Sequence, residues 1–169
     1  TAKPIVGVGV MVGAFVLLRP DPCGGTNFES ENFGYCIVVP EGWEAGPAQF
    51  GADVTLDQFA PPTGSATVVV EAVDLERGVG LDQWSEFVRQ RDESAGLTPG
   101  PASEARLDGA DALQWDVSVA AEGGDSFLMR EVVTVSGNVG WRVTLNDLQD
   151  GFDTSAVVFR DMLDSWQFA

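Results

Sequence analysis

Histidine is absent from the 169-residue chain, lysine occurs only at Lys3, and cysteine only at Cys23 and Cys36. Without histidine the chain lacks the usual general base, the usual physiological proton switch and the commonest metal ligand. A serine nucleophile would need a lysine or carboxylate base instead, and Lys3 sits in the N-terminal apolar segment, away from every serine of the domain. There is no Gly-x-Ser-x-Gly elbow, and Val135-Ser136-Gly137-Asn138 reads as a hairpin turn. The two cysteines lack Cys-x-x-Cys spacing, and a zinc site would need two further ligands. We therefore expect no catalytic residue, no metal ligand and no cofactor, and read the protein as not an enzyme.

Basic residues are also scarce. Nine Lys and Arg face 26 Asp and Glu, a net charge of −17. Such a surface repels phosphate backbones and anionic lipid headgroups, which argues against nucleic acid as a partner, and none is expected. Its plainest role is solubility, and a cationic partner or divalent ion is the sharper alternative. With so many acids, paired carboxylates of the glycosidase kind arise by chance. The acidic stretch Asn146 to Asp153 resembles a calcium loop only faintly. An EF-hand register begun at Asn146 puts Leu148 and Val157 where oxygen ligands belong, so the stretch reads as a helix-capping turn.

What the chain does contain is enough for a core: it is 44% apolar, with 5 Trp and 10 Phe. Ile5 to Leu18 is an unbroken apolar run, shorter than the ~20 residues that span a bilayer. The chain starts at Thr1, and if the run continues upstream, residues 1–19 form a transmembrane anchor; a signal segment is the competitor. Arg19-Pro20-Asp21-Pro22-Cys23 offers neither a small-x-small cleavage site nor a lipobox, which favours an uncleaved protein anchor. Lys3 before the run places the N-terminus inside and the remainder outside. Gly7, Gly9 and Gly13 do not make a dinucleotide loop, since no strand precedes them. Gly9-x-x-x-Gly13 is a candidate helix-packing face within a membrane.

Residues 20–32, with Pro20, Pro22, Gly24 and Gly25, read as a juxtamembrane linker. Cys23 in this linker and Cys36 in the first strand are expected to form a disulfide if the domain lies outside the cytoplasm. Closing a loop of that size is worth about 3 kcal/mol in the chain-entropy picture.

The domain proper is expected over residues 33–169. Tyr35 to Val39 is a strand covered on both faces, stopped by Pro40, with a bend at Gly42 and an apolar anchor at Trp43. Val54 to Phe59 and Thr67 to Val73 are further strands. Leu81, Trp84, Phe87 and Val88 recur at helical spacing, so a helix runs to Ala95, capped by Asp82 and stopped by Gly96. Four strands follow as a meander: Ser103 to Leu107, a strand with Leu113, Trp115, Val117 and Val119 on one face, Phe127 to Val135, and a strand with Val139, Trp141, Val143 and Leu145 inward. Asp108-Gly109, Gly123-Gly124 and Gly137-Asn138 turn the chain. A closing helix, capped by Asp153 or Thr154, carries the stripe Ala156, Phe159, Met162, Leu163 and Trp166. All five tryptophans, Trp43 included, fall on expected core faces. The result is an α+β domain: a mainly antiparallel sheet with two main helices packed on it, preceded by the apolar anchor helix.

Three features together carry a family resemblance: Pro40-Glu41-Gly42-Trp43 ending a short strand, the Leu81 to Ala95 helix after the third strand, and a meander closed by a helix ending Ser165-Trp166-Gln167-Phe168. Over residues 28–169 the pattern resembles the PsbP-like superfamily, and it is similar to the LpqN-type exported lipoproteins of actinobacteria. The resemblance implies a non-enzymatic docking or binding module, exported or membrane-tethered, and it carries over no functional residue. The expected protein is thus a single-pass, membrane-anchored, extracytoplasmic domain that binds a protein or cell-envelope component. The alternatives are a lipid or lipoglycan carrier with a cavity between sheet and helix, and the sensor ectodomain of a larger membrane protein.

Overall fold

The computed structural model describes residues 23–47, 56–120 and 126–169. The anchor expected over residues 1–19 and the Gly123-Gly124 turn lie outside the described residues. The strands are β1 (Phe28–Glu29), β2 (Tyr35–Ile37), β3 (Glu44–Pro47), β4 (Asp57–Ala60), β5 (Thr67–Asp74), β6 (Thr98–Pro99), β7 (Ser103–Leu107), β8 (Ala110–Ala120), β9 (Ser126–Ser136), β10 (Val139–Leu148) and β11 (Gln167–Phe168). The helices are α1 (Leu81–Ser94), between β5 and β6, and α2 (Gln149–Asp164), after β10. Eight strands form one antiparallel sheet in the order β3-β4-β5-β10-β9-β8-β6, with β7 also paired to β8. A small sheet, β1-β2-β11, ties the start of the domain to its end.

The pleat of the long strands sets two faces. On β10, Trp141, Val143 and Leu145 enter the larger core with Phe152, Phe159 and Met162 of α2 and with Tyr35 and Ile37 of β2. On the opposite face Val133 of β9 and Trp115 and Val117 of β8 meet Trp84 and Val88 of α1. The sheet is therefore sandwiched, with α1 on one side and α2 plus the small sheet on the other. The α+β architecture with two helices on an antiparallel sheet holds.

Several boundaries differ from the sequence reading for physical reasons. The first strand ends at Ile37, and Val38 is exposed, its amide donating to Ser165 Oγ at 2.8 Å instead of to a sheet neighbour. Within the stretch read as linker, Phe28–Glu29 pairs with β2. Gly80, not Asp82, occupies the N-cap of α1; Asp82 lies in the first turn, where its charge still faces the free amides. Gln83 Oε1 accepts from the Gly80 amide at 3.3 Å. Helix α2 starts at Gln149, ahead of Asp153 and Thr154. Asp147 explains this: its carboxylate accepts from the Leu148 amide at 2.8 Å and from Ser155 Oγ and Ser65 Oγ, fixing the first turn from below. Gly151 leaves room for this carboxylate, since a Cβ there would lie 2.8 Å from Asp147 Oδ2.

Two close approaches fix α1 on the sheet. The Trp84 ring lies over Gly140, where a Cβ would come within 2.8 Å of two ring carbons. Its indole nitrogen donates to the Trp141 carbonyl at 3.0 Å. At the Asp108-Gly109 hairpin both residues have positive φ, 46° and 76°, the geometry that Asp-Gly favours.

Candidate functional site

Moving along β10 traces the site. Gly140 lies under Trp84 near the start of α1, Arg142 lies under Asp92 in its last turn, and Thr144 and Asn146 continue past the helix end. Beyond α1 the same sheet face is left open as a groove of about 300 Å³. Leu56, Val69 and Met129 form its apolar walls, and Glu71, Arg142, Thr144 and Asn146 its polar part.

At the inner end of the groove is a buried charge cluster. Arg142 donates to Glu131 Oε1, from Nε at 3.1 Å and also from Nη2, and Nη2 reaches Asp92 Oδ1 at 2.8 Å. Its Nη1 lies 3.6 Å from Glu71 Oε2. Arg91 binds Glu71 through two parallel hydrogen bonds of 2.7 Å. Glu131 is 0% exposed, at the centre of the sheet, and Asp92 is nearly as buried. The cluster holds three carboxylates, Glu71, Asp92 and Glu131, against two guanidiniums, Arg91 and Arg142.

The imbalance divides the acids. Burial pushes Glu131 up to about 7; Arg142 opposes this, and Asp92 beside it raises it further. Burial also works to raise Glu71, but the hydrogen bonds and charge of Arg91, helped by Arg142, outweigh it and hold the carboxyl below its ordinary value. Neither Glu131 Oε2 nor Asp92 Oδ2 has a hydrogen-bond donor among the described residues. A cavity with convergent polar groups and shifted acids is the default candidate for a functional site.

The remaining polar hubs are structural. Asp57 accepts from Ser30 Oγ at 2.6 Å, Asn32 Nδ2 at 2.7 Å and Tyr35 Oη at 2.8 Å, joining β4 to the opening segment. Burial, and then the charge of Asp57, push the Tyr35 phenol far above its ordinary value. Cys23 and Cys36 are bonded to each other, with Cα atoms 5.5 Å apart. Trp84, Trp115, Trp141 and Trp166 are buried. Trp43 is the exception: half-buried, it packs on the larger core and also lines a second surface groove with Val38, Val39 and Pro40.

Sequence reasoning did not find the charge cluster. Its signal was a glutamate, Glu131, on the same face of β9 as Met129 and Val133 and diagonal to Arg142 in the next strand. Pattern alone leaves such a pair on a solvated face until a helix is known to cover it.

The solution structure of cyanobacterial PsbP (CyanoP) from Synechocystis sp. PCC 6803 matches with a TM-score of 0.61 at 17% identity, over 87% of this chain and 97% of that one. This chain has a PsbP-like fold. The PsbP-like fold also relates it to the Ran-binding protein Mog1p of Saccharomyces cerevisiae, with a TM-score of 0.56 at 11% identity over 83% of this chain and 93% of that one. LpqN of Mycobacterium tuberculosis, involved in cell envelope biogenesis, matches with a TM-score of 0.51 at 19% identity, over 80% and 83%. No family model and no curated protein matches the sequence. At these identities the PsbP-like fold is what is shared, and no partner-binding residue carries over.

Proposed function

We propose that the chain is an exported, membrane-anchored docking domain that binds a protein or cell-envelope partner and catalyses nothing. The observation that carries this reading is the PsbP-like fold, shared with a Ran-binding protein and with a protein of cell envelope biogenesis. The Cys23–Cys36 bond supports an oxidising compartment. Among the described residues no helix is long and apolar enough to cross a membrane, so in this reading attachment falls to residues 1–19, and the chain that follows is tied to the domain by Cys23 and enters it as β1.

The docking surface in this proposal is the groove past α1. Its charged groups are already neutralised mainly by one another, so it suits an apolar or neutral polar side chain of a partner better than a free ion. Both helix–sheet interfaces are filled with packed side chains, which favours docking over carriage of a lipid between them. A photo-reactive amino acid at Val69, in the groove, tests the reading in living cells, with Val157 on the exposed face of α2 as control. A discrete protein or envelope adduct from Val69 alone is expected. Failure to form one, or identical adducts from both positions, overturns the assignment.

A further inference from the structure

We propose that the last turn of α1 is a proton-controlled clasp: one proton held between Glu131 and Asp92 keeps this turn on the sheet, and its loss releases the turn and reshapes the groove beside it. The inference concerns the cluster itself and stands whatever the groove binds.

Among the described residues, several elements bring groups to Glu131. From α1 come Asp92 and, through Glu71, Arg91; from β10 comes Arg142; from β5 comes Glu71. From β8 comes Trp115, which is opposite Glu131 in register and has the Arg89 guanidinium 5.2 Å above its ring. Thr144 is its register partner in β10. Among the described residues no cation is left for the third carboxylate. Arg91 is taken by Glu71, and Arg89 donates to the Gly100 carbonyl at 2.9 Å. Arg142 satisfies one oxygen each of Glu131 and Asp92, leaving Oε2 and Oδ2 buried without a donor. A metal ion does not fit: among the described residues no group of three or more acids, cysteines or histidines could hold one. A proton on Glu131 Oε2 supplies the missing donor and cancels the excess charge.

When the proton leaves for solvent, two ionised carboxylates face each other in a dry site, and one must move. The backbone at Glu131 is held by strands paired on both sides. Asp92 is two residues from the end of α1, before the turn at Gly96 (φ 82°) and the two-residue edge strand β6. The Asp92 carbonyl accepts from the Leu97 amide at 3.0 Å, so the turn and the start of β6 move with it. Glu71 and Arg142 line the groove, so its inner end changes in step.

Hydrogen–deuterium exchange on the intact protein tests the clasp, after correction for intrinsic exchange rates. With Glu131 pushed up to about 7 and an ordinary carboxyl in the open form, linkage predicts about tenfold less protection of residues 92–99 at pH 8 than at pH 6. In Glu131→Gln the amide donates where the proton did, and protection should not change with pH. Wild-type protection that is independent of pH, or a Glu131→Gln variant that keeps the wild-type change, overturns the proposal. If that variant does not fold, the Glu131 carboxyl carbon can be titrated by NMR in the wild type. A midpoint near neutrality supports the clasp, and one in the ordinary range near ~4.3 overturns it.

Discussion

Replacing Gly140 with alanine should loosen α1 from the sheet without touching any polar group. The new Cβ would sit 2.8 Å from two carbons of the Trp84 ring and 3.1 Å from Leu75 Cδ1. The ring cannot retreat easily, because it is 2% exposed and its nitrogen is held to the Trp141 carbonyl at 3.0 Å. Overpacking of this kind costs about 1–3 kcal/mol. Alanine restores roughly 0.4–1 kcal/mol by restricting the unfolded chain. The net loss is then about 1–2 kcal/mol, which lowers a urea midpoint by roughly 0.5–1 M at a slope of about 2 kcal/mol/M. Tryptophan fluorescence during urea unfolding measures it, and the same substitution in a Trp84→Leu background isolates its cause. There the penalty should largely vanish. A Gly140→Ala protein as stable as the wild type, or a loss that persists without the indole ring, would refute the packing argument.

Arg142→Met should cost about 3–5 kcal/mol, because it strands buried Glu131 and Asp92 without their cation; adding Glu131→Leu should recover much of that loss in the same urea assay. Breaking the Cys23–Cys36 bond with Cys23→Ser should lower stability by about 2–4 kcal/mol. Thiol titration of unfolded, unreduced protein from its host should find no free thiol, and two would dispose of the bridge. Stability should also peak in mildly acidic solution. Glu71 lies below its ordinary value when folded, so its contribution is present above about pH 4.3 and is lost on further acidification. Glu131 lies above its ordinary value, so its contribution is complete below about pH 4.3 and is lost as pH rises through about 7. Urea midpoints between pH 3 and pH 8 should trace both limbs, and a midpoint that rises steadily to neutrality would contradict the alkaline one.

The long elements were legible because each carries its own signal. Thr67–Asp74 has its valines, Leu81–Ser94 its helical spacing, and β8, β9 and β10 their alternation and Gly-bearing turns. The short ones were not. Strands β1, β6 and β11 have two residues each, and partners elsewhere in the chain create them, so no local pattern announces them. The same holds for the early start of α2, which depends on Asp147 meeting Ser65 and Ser155. The groove and its charge cluster depend on which half of a sheet face one helix covers. That is a fact of packing, and Glu71, Asp92, Glu131 and Arg142 are spread over 72 positions of sequence. Cys23 and Cys36 were legible, since two cysteines alone leave one pairing.

The most direct test of the account is the affinity of the partner captured through Val69, measured by titration calorimetry against variants of the intact domain. Asn146→Trp fills the groove, and Val157→Trp alters the exposed face of α2 to a similar extent. The account predicts at least tenfold weaker binding for Asn146→Trp and unchanged binding for Val157→Trp. Equal affinity for all three proteins would contradict it.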